Sequence, residues 1–199
     1  MKIGLVPRIR IINKNQIEYC LEKTLVVFLK KIYKNCSIII LDDDERNYAL
    51  NMLIISGGND LTQFSKLKEN FIKEKISKFY LKNAIKKNIS IVGICYGAQF
   101  IAKYFNSKLI KTTQHVGNHQ IKFEPTLFNS RLNKSSNTNS FHNYLINNLG
   151  YGLQPLVRAN DYSIEAFKHS KLSIYGIMWH PERNSSIKDF DIEYFRKFK

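Results

Sequence analysis

Cysteine is scarce in this sequence, and no hydrophobic stretch is long enough to cross a membrane. The 199 residues include three cysteines, Cys20, Cys36 and Cys95, an odd number without the spacing of a disulfide framework, which fits a reducing compartment. The longest apolar runs, residues 37–41 and 51–55, have the length of a strand, whereas a membrane span needs roughly 20 residues. The first residues also lack the apolar core of a signal peptide. We therefore expect a cytoplasmic protein that does not associate with membranes.

Acidic residues are also few. The sequence has 16 Asp plus Glu against 31 Lys plus Arg, which gives a formal charge of +15. Such a surplus is typical of nucleic-acid-binding proteins, but here the lysines are scattered among Asn and Ile, and no zinc-finger or RNA-binding motif accompanies them. No nucleic-acid partner is expected, and the charge is better suited to attracting a small anionic substrate. With 44% hydrophobic residues, the chain has the size of one domain spanning residues 1–199.

The segment around Cys95 has the pattern of a nucleophile elbow. Residues 90–102, SIVGICYGAQFIA, place Gly93 and Gly97 two positions either side of Cys95, between an apolar run and a helix-forming stretch. The glycines allow neighbouring backbone to approach a strained turn, and the start of the following helix favours a thiolate over a thiol. The same pattern also fits a buried structural cysteine beside ordinary strand-to-helix glycines.

A second motif lies far downstream, at residues 176–182, GIMWHPE. His180 ends an apolar run, and Glu182 follows it by two positions. Pro181 biases His180 towards extended backbone, so that the imidazole and the carboxylate can share one side of the chain. A cysteine with a histidine distant in sequence is the usual layout of a Cys–His nucleophile pair, which favours Cys95 as a nucleophile.

Four motifs together resemble one known superfamily. GICYGAQ (93–99) and GIMWHPE are similar to the class I glutamine amidotransferases, and SGGND (56–60) and NSFHN (139–143) resemble the stand-alone γ-glutamyl hydrolases among them, peptidase family C26. These landmarks cover nearly the whole chain. The resemblance implies a single α/β domain with a mostly parallel, flavodoxin-like sheet flanked by helices. It also implies hydrolysis of a γ-glutamyl amide through a thioester, without a cofactor.

The resemblance further implies roles for individual residues. The triad that it implies is Cys95 as nucleophile, His180 as proton-transfer residue and Glu182 as the residue orienting the imidazole. An N–H of Gly57 or Gly58 would join the N–H of Tyr96 in an oxyanion hole. The residues implied for binding the glutamyl group are Gln99, Ser140, Phe141 and His142.

Two positions depart from the family pattern. Tyr96 follows the nucleophile, where γ-glutamyl hydrolases often have Arg, and Ser56 precedes the double glycine, where Pro is usual. Two functions therefore stay open. One is a stand-alone hydrolase that releases ammonia or a phosphoramidate from an anionic γ-glutamyl substrate. The other is a glutaminase subunit that passes ammonia to a synthetase partner.

Hydrophobic periodicity predicts the remaining elements. The alternation of strands and helices indicates a parallel sheet with helices on both faces. The predicted strands are residues 2–6, 37–41, 51–56, 107–111, 157–168 and 172–178, and the predicted helices are residues 16–34, 65–87 and 189–199. A hairpin is expected to turn at Gly117 and Asn118. A polar, mobile loop over the site is expected at residues 129–143, with Lys122, Arg131 and Lys134 suited to an anionic leaving group.

Two groups of residues have side chains that can bind metal ions. The carboxylates at positions 42–44 are adjacent, so they cannot easily face one ion, and a solvated turn is expected there. His115 and His119 are four residues apart, a spacing that suits zinc on a helix, but the glycine and asparagine between them disfavour a helix. No metal site is expected.

Overall fold

The structure, a computed structural model, describes residues 1–112, 115–124 and 135–197. Within these ranges the chain forms an eleven-stranded sheet, a separate two-stranded hairpin and four helices. The strands are β1 (Lys2–Val6), β2 (Arg8–Asn13), β3 (Gln16–Cys20), β4 (Ser37–Ile40), β5 (Met52–Ile55), β6 (Ser90–Ile94), β7 (Lys108–Lys111), β8 (Val116–Phe123), β9 (Ser135–Phe141), β10 (Tyr144–Asn148), β11 (Leu153–Ala159), β12 (Ile164–His169) and β13 (Ile174–Ile177). The helices are α1 (Lys23–Ile32), α2 (Lys68–Lys86), α3 (Tyr96–Tyr104) and α4 (Asp189–Arg196), with a 3-10 turn at Pro181–Arg183.

Five strands form the parallel half of the sheet, in the order β4-β1-β5-β6-β13. Counted in chain order these strands run 2-1-3-4-5, which is the order of flavodoxin-like doubly wound sheets. The predicted α/β fold with a parallel central sheet is confirmed. Because parallel strands end at the same edge, the segments that follow β1, β5, β6 and β13 meet there.

Helices cover both faces of the parallel half. Helices α1 and α4 pack on one face, where Phe28 and Phe195 meet edge to face with ring centroids 5.0 Å apart. Helices α2 and α3 pack on the other face. A strand buried on both sides has no polar face, which explains why Met52–Ile55 is apolar without alternation and fully buried. Among the described helices, none is long and apolar enough to cross a bilayer.

The sheet continues beyond β13 as an antiparallel half. Strands β12, β11, β8 and β9 follow one another, and β10 pairs with both β12 and β7. The predicted strand at residues 157–168 is in fact the end of β11, a turn, and β12. Residues 172–178 contain β13, which delivers the chain to His180.

The prediction of one helix over residues 16–34 is wrong in its first turns. Gln16–Cys20 is the strand β3, which pairs with β2 in an antiparallel hairpin, and the helix begins only at Lys23. Ile17, assigned by its spacing to the buried helix face, is 40% exposed. The apolar residues from Leu25 onward keep the helical spacing, whereas the five residues before position 21 alternate in a way that also fits a strand.

The predicted hairpin at Gly117 and Asn118 is also wrong. Both residues lie inside the continuous strand β8, which pairs along its length with β9. Residues 135–141 of the expected loop therefore form a strand, although their sequence, SSNTNSF, is almost entirely polar. The backbone N–H and C=O groups of this segment are paired with those of β8, and the polarity of the side chains gives no indication of that pairing. Residues 129–134, including Arg131 and Lys134, lie outside the described ranges.

Candidate active site

Cys95 sits at a strained turn between β6 and α3. Its backbone has φ 51° and ψ −104°, a conformation rare for a residue with a side chain, as the elbow pattern predicted. A Cβ on Gly97 would lie 2.0 Å from the carbonyl oxygen of Ile55, so only glycine fits there. Cys95 is 7% exposed and has no disulfide partner. The turn therefore presents one nearly buried thiol at the edge where the parallel strands end.

His180 joins Cys95 to Glu182. Its Nδ1 lies 2.6 Å from Oε1 of Glu182. A Cβ added to Gly57 would lie 3.2 Å from Nε2 of His180 and 3.5 Å from Cβ of Cys95, so the ring lies beside the thiol. Because Nδ1–H donates to the carboxylate, Nε2 is left for the sulfur. Burial lowers the pKa of His180, but the electrostatic interactions with Cys95 and Glu182 outweigh it and raise the pKa to about 9. The structure thus brings the three predicted triad residues together in a chain that can move a proton from the thiol.

Asn139 fixes the backbone of His180. Its Nδ2 donates to the carbonyl of His180 at 2.8 Å, and its Oδ1 accepts from the N–H of His180 at 2.9 Å. The same Nδ2 also donates to Oδ1 of Asn184 at 2.8 Å. Asn139 belongs to β9, so the outermost strand of the antiparallel half holds the histidine of the parallel half. Sequence reasoning placed Asn139 only in the motif that contacts the glutamyl group.

The double glycine after β5 faces the cysteine and histidine. A Cβ on Gly57 would meet Cε1 of His180 at 2.5 Å and Cβ of Cys95 at 3.5 Å, so the backbone at Gly57 lies directly against the pair. Gly58 has φ +73°, a left-handed conformation that favours glycine. Tyr96 is the first residue of α3, where backbone N–H groups have no acceptor within the helix. Gly57 and Tyr96, two of the predicted oxyanion donors, therefore lie next to Cys95, after β5 and at the start of α3.

Lys73 supports the double glycine from beneath. This side chain of α2 is fully buried, and its Nζ donates to the carbonyls of Ser56, Gly57 and Gly58 at 3.0, 2.7 and 2.7 Å. Burial lowers the pKa of Lys73 well below its usual value. The N–H of a trans peptide points away from its C=O, so binding the carbonyls of Ser56 and Gly57 turns the N–H groups of Gly57 and Gly58 away from Lys73.

Sequence reasoning missed Lys73. It is one of 31 basic residues, and the long helix was recognised only by its apolar side chains. One signal was available, because Lys73 lies three and seven residues before Ile76 and Tyr80, on the buried face of that helix. A lysine in such a stripe is a candidate for a buried role.

The residues predicted to bind the glutamyl group divide between two sides of the site. Gln99 is buried and its Nε2 donates to the carbonyl of Tyr144 at 2.9 Å, which ties α3 to the start of β10. Phe141 packs edge on against His180, with centroids 5.9 Å apart, and is 50% exposed. Ser140 donates to the carbonyl of His115 at 2.6 Å, and His142 is buried beside Glu165, so both side chains face away from Cys95. Substrate contact by these residues stays a prediction.

Arginines line the rim of the site. Arg8, at the start of β2, lies across Gly58, where an added Cβ would meet its Cδ at 2.8 Å. Arg8 also borders a narrow cleft with Gly57 and Glu182. Arg183 stacks over Phe141 at 4.9 Å and is paired with a glutamate of the segment before α1. Sequence reasoning assigned no role to either arginine.

Lys122 lies far from this rim. It pairs with Ser135, four residues along β8 and β9 from the pair Asn118–Asn139, which corresponds to about 13 Å of strand. The expected contact of Lys122 with a leaving group is therefore not supported by its position. Arg131 and Lys134 fall in the part of the chain that the structure does not describe.

Comparisons with known proteins agree with this geometry. The sequence family "Glutamine amidotransferase class-I" matches residues 12–198. The γ-glutamyl-CDP-amidate hydrolase of Campylobacter jejuni is 36% identical, with 87% of this chain and 86% of that protein covered. One subunit of the glutamine-hydrolysing GMP synthase of Methanococcus vannielii is 27% identical over 71% of this chain and 69% of that protein.

A solved structure shows the same fold at lower sequence identity. A glutamine amidotransferase of Thermotoga maritima superposes with a TM-score of 0.67 at 13% identity, covering 98% of this chain and 82% of that one. The family match spans nearly the whole chain, including the Cys95 elbow and the His180 motif. The chain therefore belongs to the class I glutamine amidotransferase family, as a hydrolase of the glutamine amidotransferase type.

Proposed function

We propose that this protein is a stand-alone hydrolase that cleaves the γ-glutamyl amide bond of a γ-glutamyl nucleotide amidate and releases glutamate. The observation that carries the proposal is the 36% identity to a γ-glutamyl-CDP-amidate hydrolase over 87% of the chain. The substrate class is a γ-glutamyl cytidine diphosphate amidate, whose hydrolysis leaves the free amidate, the kind of precursor from which a phosphoramidate could be transferred to a capsule sugar. The series Cys95, His180 and Glu182 supplies the chemistry, with His180 hydrogen-bonded to Glu182 and lying beside Cys95.

Cys95 is the nucleophile in this mechanism. Its sulfur attacks the γ-carbonyl carbon of the glutamyl group, while Nε2 of His180 holds the thiol proton. The oxygen of the tetrahedral intermediate would receive hydrogen bonds from the N–H of Tyr96 and of Gly57 or Gly58. Donors fixed in advance stabilise the charge that develops in the transition state without reorganisation.

His180 then changes from base to acid. The imidazolium gives its proton to the leaving nitrogen, the C–N bond breaks, and a γ-glutamyl thioester remains on Cys95. The neutral ring next takes a proton from water, which attacks the thioester and releases glutamate and the free thiol. Glu182 accepts from Nδ1–H throughout, and so holds the tautomer that leaves Nε2 free to act.

Arg8 is suited to the anionic part of this substrate. Its side chain lies on the exposed surface beside Gly58, next to the predicted oxyanion donors. A nucleotide diphosphate on the leaving nitrogen carries its negative charge outward from the buried pair, where a guanidinium can bind phosphate oxygens with two parallel hydrogen bonds. The net charge of +15 would add long-range attraction for such a substrate.

The test uses the purified protein alone. We expect a higher kcat/KM for γ-glutamyl-CDP-amidate than for glutamine, with glutamate release as the assay. Arg8→Gln should raise KM for the nucleotide substrate and leave the kinetics with glutamine nearly unchanged. Arg10→Gln is the matched control, because Arg10 is two residues further along the same hairpin strand. Equal loss for both substrates in Arg8→Gln would contradict the assignment of the leaving-group contact.

A glutaminase subunit is the second candidate function. The similarity to one component of an archaeal glutamine-hydrolysing GMP synthase favours it. Such a protein would hydrolyse glutamine slowly alone and faster with its synthetase, since the partner completes the site. Poor activity on both substrates, restored by a synthetase that copurifies, would replace the first proposal with this one.

A further inference from the structure

Three of the five histidines converge on one buried carboxylate, on the side of β9 that faces away from Cys95. Oε1 of Glu165 lies 3.1 Å from Nδ1 of His115, 3.5 Å from Nε2 of His119 and 3.7 Å from Nε2 of His142. Glu165 is fully buried, and His115 and His142 are each 3% exposed. This set of residues, called the His–Glu cluster below, takes no part in the mechanism above.

Two of the three histidines are oriented as metal ligands are. His142 directs Nδ1 to the carbonyl of Tyr144 at 3.1 Å, and His115 directs Nε2 to Oδ2 of Asp161 at 2.9 Å. Asp161 is itself held by the N–H and hydroxyl of Ser163, at 3.1 and 2.6 Å. Metal-binding histidines characteristically donate the N–H of their second nitrogen to a carbonyl or carboxylate, which fixes the ring and exposes the other lone pair.

Hydrogen bonds alone do not account for the cluster. With Nδ1–H given to Tyr144, the remaining Nε2 of His142 is an acceptor, and it faces Oε1 of Glu165, which is also an acceptor. Within the described ranges, Nε2 of His142, Nε2 of His119 and Oε2 of Glu165 have no hydrogen-bond partner. A cation between Glu165 and the rings of His115 and His142 would satisfy Nε2 of His142 and a carboxylate oxygen of Glu165.

We infer that the His–Glu cluster is a zinc site, with His115 Nδ1, His142 Nε2 and a carboxylate oxygen of Glu165 as ligands. Ligand atoms of His115, His142 and Glu165 all lie within 4.8 Å of one another. Around tetrahedral zinc, with bonds of 2.0–2.1 Å, neighbouring ligand atoms are about 3.4 Å apart. The three distances to Oε1 of Glu165 bracket that value.

Sequence alone predicted no metal here because the spacing of His115 and His119 was weighed only for a helix, and Gly117 and Asn118 disfavour a helix. In the strand β8 and the residue before it, positions four apart also share one face, since side chains alternate with a period of two. The remaining ligands come from the β9–β10 junction and from β12, which no local spacing reveals.

The site would hold the antiparallel half together. His142 is three residues from Asn139, whose side chain makes two hydrogen bonds to the backbone of His180. A zinc ion joining β8, β12 and the end of β9 would therefore set the position of the strand that supports the catalytic histidine.

Metal content after dialysis against zinc and then against metal-free buffer tests this inference. The measurement is made with the Cys95→Ser protein, because the Cys95 thiol and His180 could together bind zinc and add to the measured metal content. We expect one zinc per chain, lost in His142→Ala and in Glu165→Gln. His169→Gln is the matched control, since this histidine lies outside the cluster and should not change the zinc content.

A variant at a more exposed position tests the inference if the proteins with buried substitutions do not fold. Asp161 has a side chain that is 37% exposed, and Asp161→Asn should fold while lowering zinc affinity by about 10- to 100-fold through the orientation of His115. Zinc should also raise the Tm of the Cys95→Ser protein relative to a chelator-treated sample. No bound zinc, or equal zinc in the Glu165→Gln, Asp161→Asn and parent proteins, would overturn the inference.

Discussion

The two halves of the sheet differ in where their polar residues lie and in what those residues bind. In the parallel half, β5, β6 and β13 are apolar, and Gly57, Cys95 and His180 follow them at one edge. In the antiparallel half, β9 is polar except for Phe141 at its end, and two of its side chains bind other parts of the chain. Asn139 binds the backbone of His180, and Ser140 binds that of His115. The parallel half thus carries the residues of the proposed triad, and the antiparallel half positions one of them.

Three variants test these different roles of the two halves, and the largest effect is expected from removing Lys73, which binds the carbonyls of the double glycine. Lys73→Met keeps the volume of the side chain but loses the three hydrogen bonds to the 56–58 carbonyls. We expect kcat to fall about a hundredfold, as when an oxyanion donor is removed, with KM nearly unchanged. Lys75→Met, two residues on and 59% exposed at its side chain, is the control. A rise in KM at constant kcat would show that Lys73 serves substrate binding instead.

Cutting the contact between the halves should have a smaller effect. Asn139→Ala removes both hydrogen bonds to the His180 backbone, so the imidazole is held less accurately. We expect kcat to fall about tenfold and the free energy of unfolding to fall by about 1–3 kcal/mol, because a buried N–H and C=O lose their partners. Asn137→Ala, on the same strand and exposed, should change neither quantity. Unchanged kcat in the folded Asn139→Ala protein would show that the antiparallel half does not contribute to catalysis through this contact.

The smallest effect concerns a buried carboxylate beside the parallel half. Asp191 in α4 is fully buried and accepts from Nε1 of Trp179 at 2.8 Å, and burial raises its pKa to about 7. Since this pKa exceeds the unfolded value, the stability tied to the protonated carboxyl is complete below about pH 4 and is lost as pH rises through 7.

Asp191→Asn should remove that pH dependence while keeping an acceptor for Trp179. We expect the variant to be more stable than the parent at pH 8 and no more stable at pH 4. Thermal unfolding at both pH values is the measurement, with Asp189→Asn in the exposed first turn as control. A constant difference between variant and parent at the two pH values would contradict the raised pKa.

What the sequence could predict depends on whether a residue's role is set by its neighbours in the chain or by distant partners. The elbow and the GIMWHPE motif are short segments whose own residue types dictate a strained turn and a strand end, so Cys95, His180 and Glu182 were found and then seen to meet. Gly57 was found for the same reason. Lys73, Asn139 and Glu165 act through partners that are distant in the chain, and nothing beside them in the sequence indicates those partners. Strand β9 was missed because its pairing uses backbone groups.

Trapping the acyl-enzyme tests the central claim most directly. Purified protein is mixed with the γ-glutamyl substrate, quenched with acid within one turnover, and its intact mass is measured, followed by peptide mapping. We predict one added glutamyl group on Cys95, absent in Cys95→Ser, whose turnover should fall about a thousandfold or more. Protein with both Cys20 and Cys36 changed to Ser should still form the adduct. Full turnover by Cys95→Ser, or an adduct on any other residue, would contradict the account.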